Sequence, residues 1–167
     1  MFTSIADFEK AWSGESGNTS KMLGALTDAS LSQSVAEDHR TLGRMAWHIA
    51  LTIAEMMPAT GLEFKGVDLK APVPATAAEI KKTYDNAAGQ LLEQVKTKWD
   101  DAGLQVEDEL YGETWKRGFT LAVLLNHEIH HRGQMTVLMR QAGLKVPGIY
   151  GPAKEEWVTY GAPEPPV

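Results

Sequence analysis

The run from Arg117 to Ala142 constrains the fold more than any other part of the chain. Leu124, His127, His131, Met135, Leu138 and Ala142 recur three and four residues apart, no proline interrupts them, and Gly143 and then Pro147 follow. This pattern predicts one long helix with a glycine just past its end and a proline that prevents continuation. Three more stretches carry the same period. From Ser4 to Leu26 the stripe is Ile5, Phe8, Trp12, Thr19, Met22 and Leu26, with Ser4 and Asp7 as a capping-box start and Gly14 and Gly17 as local weak points. From Thr41 to Met57 it is Leu42, Met45, Ile49, Ile53 and Met56, ended by Pro58. The third opens at Thr76, with Glu79 three residues on, and its inner stripe reads Ile80, Tyr84, Ala87, Leu91, Val95 and Lys98.

Four amphipathic helices and no clear strand pattern predict an all-α, four-helix bundle, one domain spanning 1–167. Residues 58–75 read as a proline-containing loop long enough to cover a site. Residues 102–116 read as an irregular link, with a short extended piece around Leu104 and Val106. The tail from Lys145 onward holds five prolines and is expected to be mostly irregular, apart from a turn near Lys154–Trp157. Trp12, Trp47, Trp99, Trp115 and Trp157 read as core or interface residues, with Trp47 at a pocket mouth or a dimer contact.

Composition narrows the function. The net charge of −6 and the scattered Lys and Arg argue against a nucleic-acid partner. No apolar run is long enough to span a membrane, and the N-terminus lacks the basic start and apolar stretch of an export signal, so a cytoplasmic location is expected. There is no cysteine, so any metal must be held by imidazole and oxygen.

His127 and His131 then become the informative pair. At about 100° per residue they lie about 40° apart around the helix axis, so both rings can grip one divalent ion. Both occupy positions where a bundle expects Leu or Ile. His130 is a rival, since the 127/130 pair can also chelate; it sits at the border of the core line and reads as a supporting or interface residue bonded to a carboxylate. A third nitrogen is available from His48, mid-way along the second helix. His39, in a polar stretch, is expected in solvent.

The chain resembles the DinB-like proteins, also called the DinB/YfiT-like metalloprotein superfamily. The likeness rests on the lone histidine of the second helix and on Asn126-His127-Glu128-Ile129-His130-His131-Arg132-Gly133-Gln134. It continues through Leu138-Met139-Arg140-Gln141-Ala142-Gly143, Val146-Pro147 and Tyr150-Gly151-Pro152. The resemblance implies a four-helix bundle, often homodimeric, whose three metal ligands map onto His48, His127 and His131. It implies a zinc, nickel or other divalent ion, and in some members a metal-dependent transferase or isomerase chemistry with small thiols.

Three functional classes follow. A metal-dependent enzyme, a thiol transferase or a hydrolase on a small molecule, would use the ion to activate a thiol or water. A non-catalytic metal-binding or stress-response bundle would use it for stability. Residues 127–131 also match the H-E-x-x-H pattern of zinc peptidases, with Glu128 as general base, but no strand is evident to hold a peptide. Outside that last reading, Glu128 is expected on the helix surface or just behind the ligands. Gly133 is expected to allow a close helix approach, Arg132 to pair with a carboxylate, and Gln134 to bond near the site. Glu55 is expected on a solvated face or else as a base near the metal, and Tyr150 near the pocket.

Overall fold

The computed structural model describes residues 1–166 as a four-helix bundle. Its helices are α1 (Ile5–Gly24), α2 (Leu42–Met56), α3 (Ala77–Lys98) and α4 (Arg117–Gln141). Each helix starts where the sequence supplies a cap or a turn. The hydroxyls of Ser4, Thr41 and Thr76 accept from the backbone N–H groups of Asp7, Arg44 and Glu79, covering otherwise orphaned donors. Helix α1 runs unbroken through Gly14 and Gly17. α1 packs on α3 and α4, and α2 packs on α3 and α4, so α1 lies diagonally across from α2 and α3 across from α4. The apolar stripes meet in one core in which Phe8, Trp12, Ile49, Ile53, Tyr84, Leu91, Leu124 and Met135 are essentially inaccessible. Lys98 leaves the predicted stripe of α3: it is exposed, and its ammonium donates to Gln94 Oε1.

The link between α3 and α4 departs from expectation. Leu104 lies in a 3₁₀ turn, Gly103–Gln105, and an antiparallel hairpin follows, β1 (Glu107–Leu110) and β2 (Glu113–Lys116), paired Glu107 to Lys116 through Leu110 to Glu113. Tyr111 and Gly112 join the strands with φ of 55° and 82°, the doubly left-handed turn that matches strand twist. Arg117 closes the base of the hairpin with two hydrogen bonds to Asp108. Tyr111 donates to Glu55, which is exposed on α2 as expected and anchors the hairpin from that solvated face.

The 58–75 loop does not cover the histidines. Gln90 and Gln94 of α3 hold its backbone at Lys65 and Glu63, and the indole of Trp47 donates to Ala71 O. Trp47 is therefore a core residue beneath this loop, and Trp12 is core as well, while Trp99, Trp115 and Trp157 are half-buried. The tail keeps one 3₁₀ segment, Lys154–Tyr160, over the turn expected near Lys154–Trp157. No helix among the described residues is long and apolar enough to cross a membrane.

Candidate metal centre

The face of α2 against α4 brings three imidazoles together. The Nε2 of His127 lies 3.2 Å from Nε2 of His48 and 3.0 Å from Nε2 of His131. One nitrogen from each ring falls within 4.8 Å of the others, and among the described residues these three form a group able to hold a metal ion. The rings meet edge to face, with centroids 4.3 to 4.9 Å apart. The separations fit a small divalent ion. Nitrogens 3.0 and 3.2 Å apart can share one ion at nitrogen–metal bonds of about 2.0–2.1 Å.

The protonation state also suits a cation. Burial pushes His48 and His127 down to about 4, and repulsion from the neighbouring histidines and from Arg40 adds to it. His131 is lowered as well, mainly by burial, against a hydrogen bond to Gln134 that raises it. All three are neutral at pH 7, the form that ligates. Gln134 Oε1 lies 2.7 Å from His131 Nδ1, and the other end of the amide, Nε2, lies 3.1 Å from His130 Nε2. In this orientation the amide oxygen accepts the Nδ1 proton and leaves the Nε2 lone pair of His131 aimed at the cluster, the usual way a ligating imidazole is oriented. His130 thus stands outside the cluster, exposed, and bonds an amide where a carboxylate was expected. His39 is in solvent. The Nδ1 of His127 is buried and has no hydrogen-bond partner among the described residues.

Glu128 is neither on the surface nor beside the ligands. It is fully buried on the inner side of α4, where Oε2 accepts from Tyr84 Oη (2.9 Å) and Thr19 Oγ1 (3.2 Å). Burial pushes its carboxyl up to about 7 despite those bonds and the charge of Arg132. One residue is about 100° of helix, so Glu128 and its neighbour His127 face different partners. The general-base role of a zinc peptidase has no support in this geometry, and the only strands described belong to the short hairpin. Arg132 does pair with a carboxylate: its guanidinium bonds Glu15 of α1, Thr19 Oγ1 and Tyr150 Oη. Tyr150 is held there by Glu15 and Arg132, on the α1 side, rather than at the histidines. Gly133 is exposed with open space around it, so it makes no close helix approach. Gly118, at the start of α4, is the tightest instead, against the segment before α1: an added Cβ would lie 2.0 Å from the Phe2 carbonyl oxygen.

Two features escaped the sequence reading. One is the buried Glu128–Thr19–Arg132–Glu15 chain, whose signal was a second pair four residues apart, 128 and 132, beside the histidine pair. The other is a cavity of about 530 Å³ that reaches His131 between the segment before α2 and the end of α4. Its lining includes Arg40 and Gln134.

Comparison with known proteins agrees with this architecture. The model of the DinB family matches residues 1–165. The chain is 44% identical over 165 residues to the Bacillus subtilis (strain 168) protein called Uncharacterized protein YrdA, covering 99% of both chains. It superposes with a TM-score of 0.86 on the crystal structure of a DinB-like protein from Bacillus cereus ATCC 10987, at 44% identity, over 90% of this chain and 100% of that one. A DinB-like protein (YjoA) from Bacillus subtilis shares the fold alone, with a TM-score of 0.66 at 17% identity over 86% of this chain and 97% of that one. A family match across nearly the whole length, joined to a relative at this identity, means that the chain belongs to the DinB family.

Proposed function

We propose that the protein is a metal-dependent enzyme in which His48, His127 and His131 hold one divalent ion, zinc or nickel, and act on a small molecule through an activated thiol or water. The observation that carries this reading is the convergence of three neutral imidazoles, with the Nε2 of His127 3.2 Å from that of His48 and 3.0 Å from that of His131, beside a cavity that reaches His131. With the proton of each ring on Nδ1, the three Nε2 lone pairs face one another, and a cation between them turns that repulsion into ligation. Held there, the ion would supply Lewis acidity, lowering the proton affinity of a thiol or water at neutral pH.

The chain's own groups prepare the site. Gln134 fixes the ring of His131 and keeps its proton on Nδ1. Thr52 donates back to His48 O within α2, and the buried side chains of Met45 and Leu138 exclude water from one flank. Three protein nitrogens with no fourth His, Asp or Glu in the group among the described residues suit an exchangeable guest better than a closed structural site. The resemblance to thiol-using family members favours a transferase over a hydrolase, and supports a homodimer.

The test is metal analysis of protein purified without a nickel column, followed by turnover assays with several small thiols. Wild type should carry close to one ion per chain, and His131→Ala should lose most of it while keeping its helical circular dichroism. A stoichiometric ion in folded His131→Ala defeats the assignment.

A further inference from the structure

We propose that the cavity beside His131 binds a small amphipathic carboxylate, with the Arg40 guanidinium taking the carboxylate and the apolar wall formed by α2 and α4 taking its body. The cavity, about 530 Å³, lies in the range of small-ligand sites. Met45 and Leu138 line it as buried core residues, while Val35 and Val137, which line it too, are 54% and 52% exposed. Exposed valines beside a polar cluster are apolar surface that the chain leaves uncovered.

Charge sets the other half of the ligand. The chain has five arginines. Arg117, Arg132 and Arg140 are each paired with a carboxylate, on Asp108, Glu15 and Glu155. Arg40 lines the cavity, is exposed, and makes neither an ion pair nor a side-chain hydrogen bond among the described residues. Arg40 and His131 line the same cavity, so the guanidinium sits beside the cluster. A planar, unpaired guanidinium of this kind recognises carboxylates through two parallel hydrogen bonds. Asp38 lines the same cavity. Its charge opposes added negative charge beside Arg40, and opposes a doubly charged phosphate more than a monoanion. The arrangement therefore reads a monoanion with an apolar body.

Carboxylate binding at Arg40 does not itself need a metal. The inference deepens the proposed enzymatic reading, because it names the molecule on which the histidine centre would act. The experiment is isothermal titration calorimetry with 4-phenylbutyrate, its uncharged amide and phenyl phosphate. It is run on wild type and Arg40→Gln, each metal-loaded and EDTA-treated, with metal content measured in every sample. Wild type should bind the acid at least about tenfold tighter than the amide, the loss expected when a charge-assisted bond is missing. Arg40→Gln should bind both equally, at the affinity wild type shows for the amide. Equal binding of acid and amide by wild type, no binding of either, or an acid preference that survives in Arg40→Gln overturns the proposal. So does tighter binding of phenyl phosphate than of the acid. An Arg40-dependent preference in protein that takes up no metal even when loaded supports it while removing the metal-dependent reading.

Discussion

Glu128 is the residue whose replacement tests the site geometry most sharply. Its carboxyl is fully buried, with one oxygen bonded to Tyr84 and Thr19 and the other, Oε1, without a partner among the described residues. Burial raises its pKa from 4.5 to about 7. For a raised carboxyl the folded state holds its proton longer than the unfolded state does. Its stabilising effect is therefore complete below pH 4.5 and is lost as the pH rises through 7. At about 1.4 kcal/mol per pH unit the loss is about 3 kcal/mol, of which about 2 to 3 falls between pH 5 and pH 8. Glu128→Gln keeps an oxygen to accept from Tyr84 and Thr19, puts an uncharged NH₂ where Oε1 stands, and abolishes the titration. The lowered histidines of the cluster produce the opposite slope, but they are common to both proteins and cancel in the difference. Urea denaturation of EDTA-treated wild type and Glu128→Gln at intervals from pH 5 to 8 reads the effect. The variant should gain about 2 to 3 kcal/mol on wild type across that range. Parallel stability curves would refute the buried-carboxyl assignment. Loss of turnover in a metal-replete variant would instead make Glu128 the reaction base, against its position in the core.

The supporting groups of the centre give two more outcomes. Gln134→Leu removes the acceptor that orients His131 and should weaken metal binding by about 10- to 100-fold in a chelator competition; unchanged affinity would show that the amide plays no part in the site. Arg132→Leu leaves Glu15 and Thr19 without their buried partner and should cost about 3–5 kcal/mol in urea denaturation; a loss below about 1 kcal/mol would mean that the ion pair is solvated.

The helices were legible because each carries both a period and a punctuation mark: Thr41 before α2, Thr76 before α3, Gly143 after α4. The histidine cluster was legible for a related reason, since two imidazoles on a core line are costly unless something engages them. The hairpin was not. Its strands, Glu107–Leu110 and Glu113–Lys116, are four residues each and mostly charged, so they show no alternation of apolar residues. The one usable sign was Tyr111-Gly112, where the chain needs two left-handed residues in succession. Glycine misled in a second way. A glycine in a helix shows that a side chain is missing but not what would meet it, so Gly133, in open space, and Gly118, against the Phe2 carbonyl, look alike in sequence.

The same ambiguity hid the second polar pair of α4, and its position explains how the first is aimed. In a square bundle the two neighbours of a helix subtend about 90° at its axis, close to the step of about 100° between consecutive residues. His127 and His131 therefore point at α2 when Glu128 and Arg132 point inward and toward α1, where Thr19 and Glu15 receive them. Rotating α4 by one residue in either direction would take the buried carboxylate and guanidinium away from every partner they have. An apolar stripe tolerates such a slip, because one leucine replaces another at small cost. A buried charge does not, because it is left unpaired in the core. The Glu128–Arg132 pair thus fixes the rotation of the helix, and the rotation of the helix is what brings the Nε2 of His127 to 3.2 Å from that of His48 with His131 beside it.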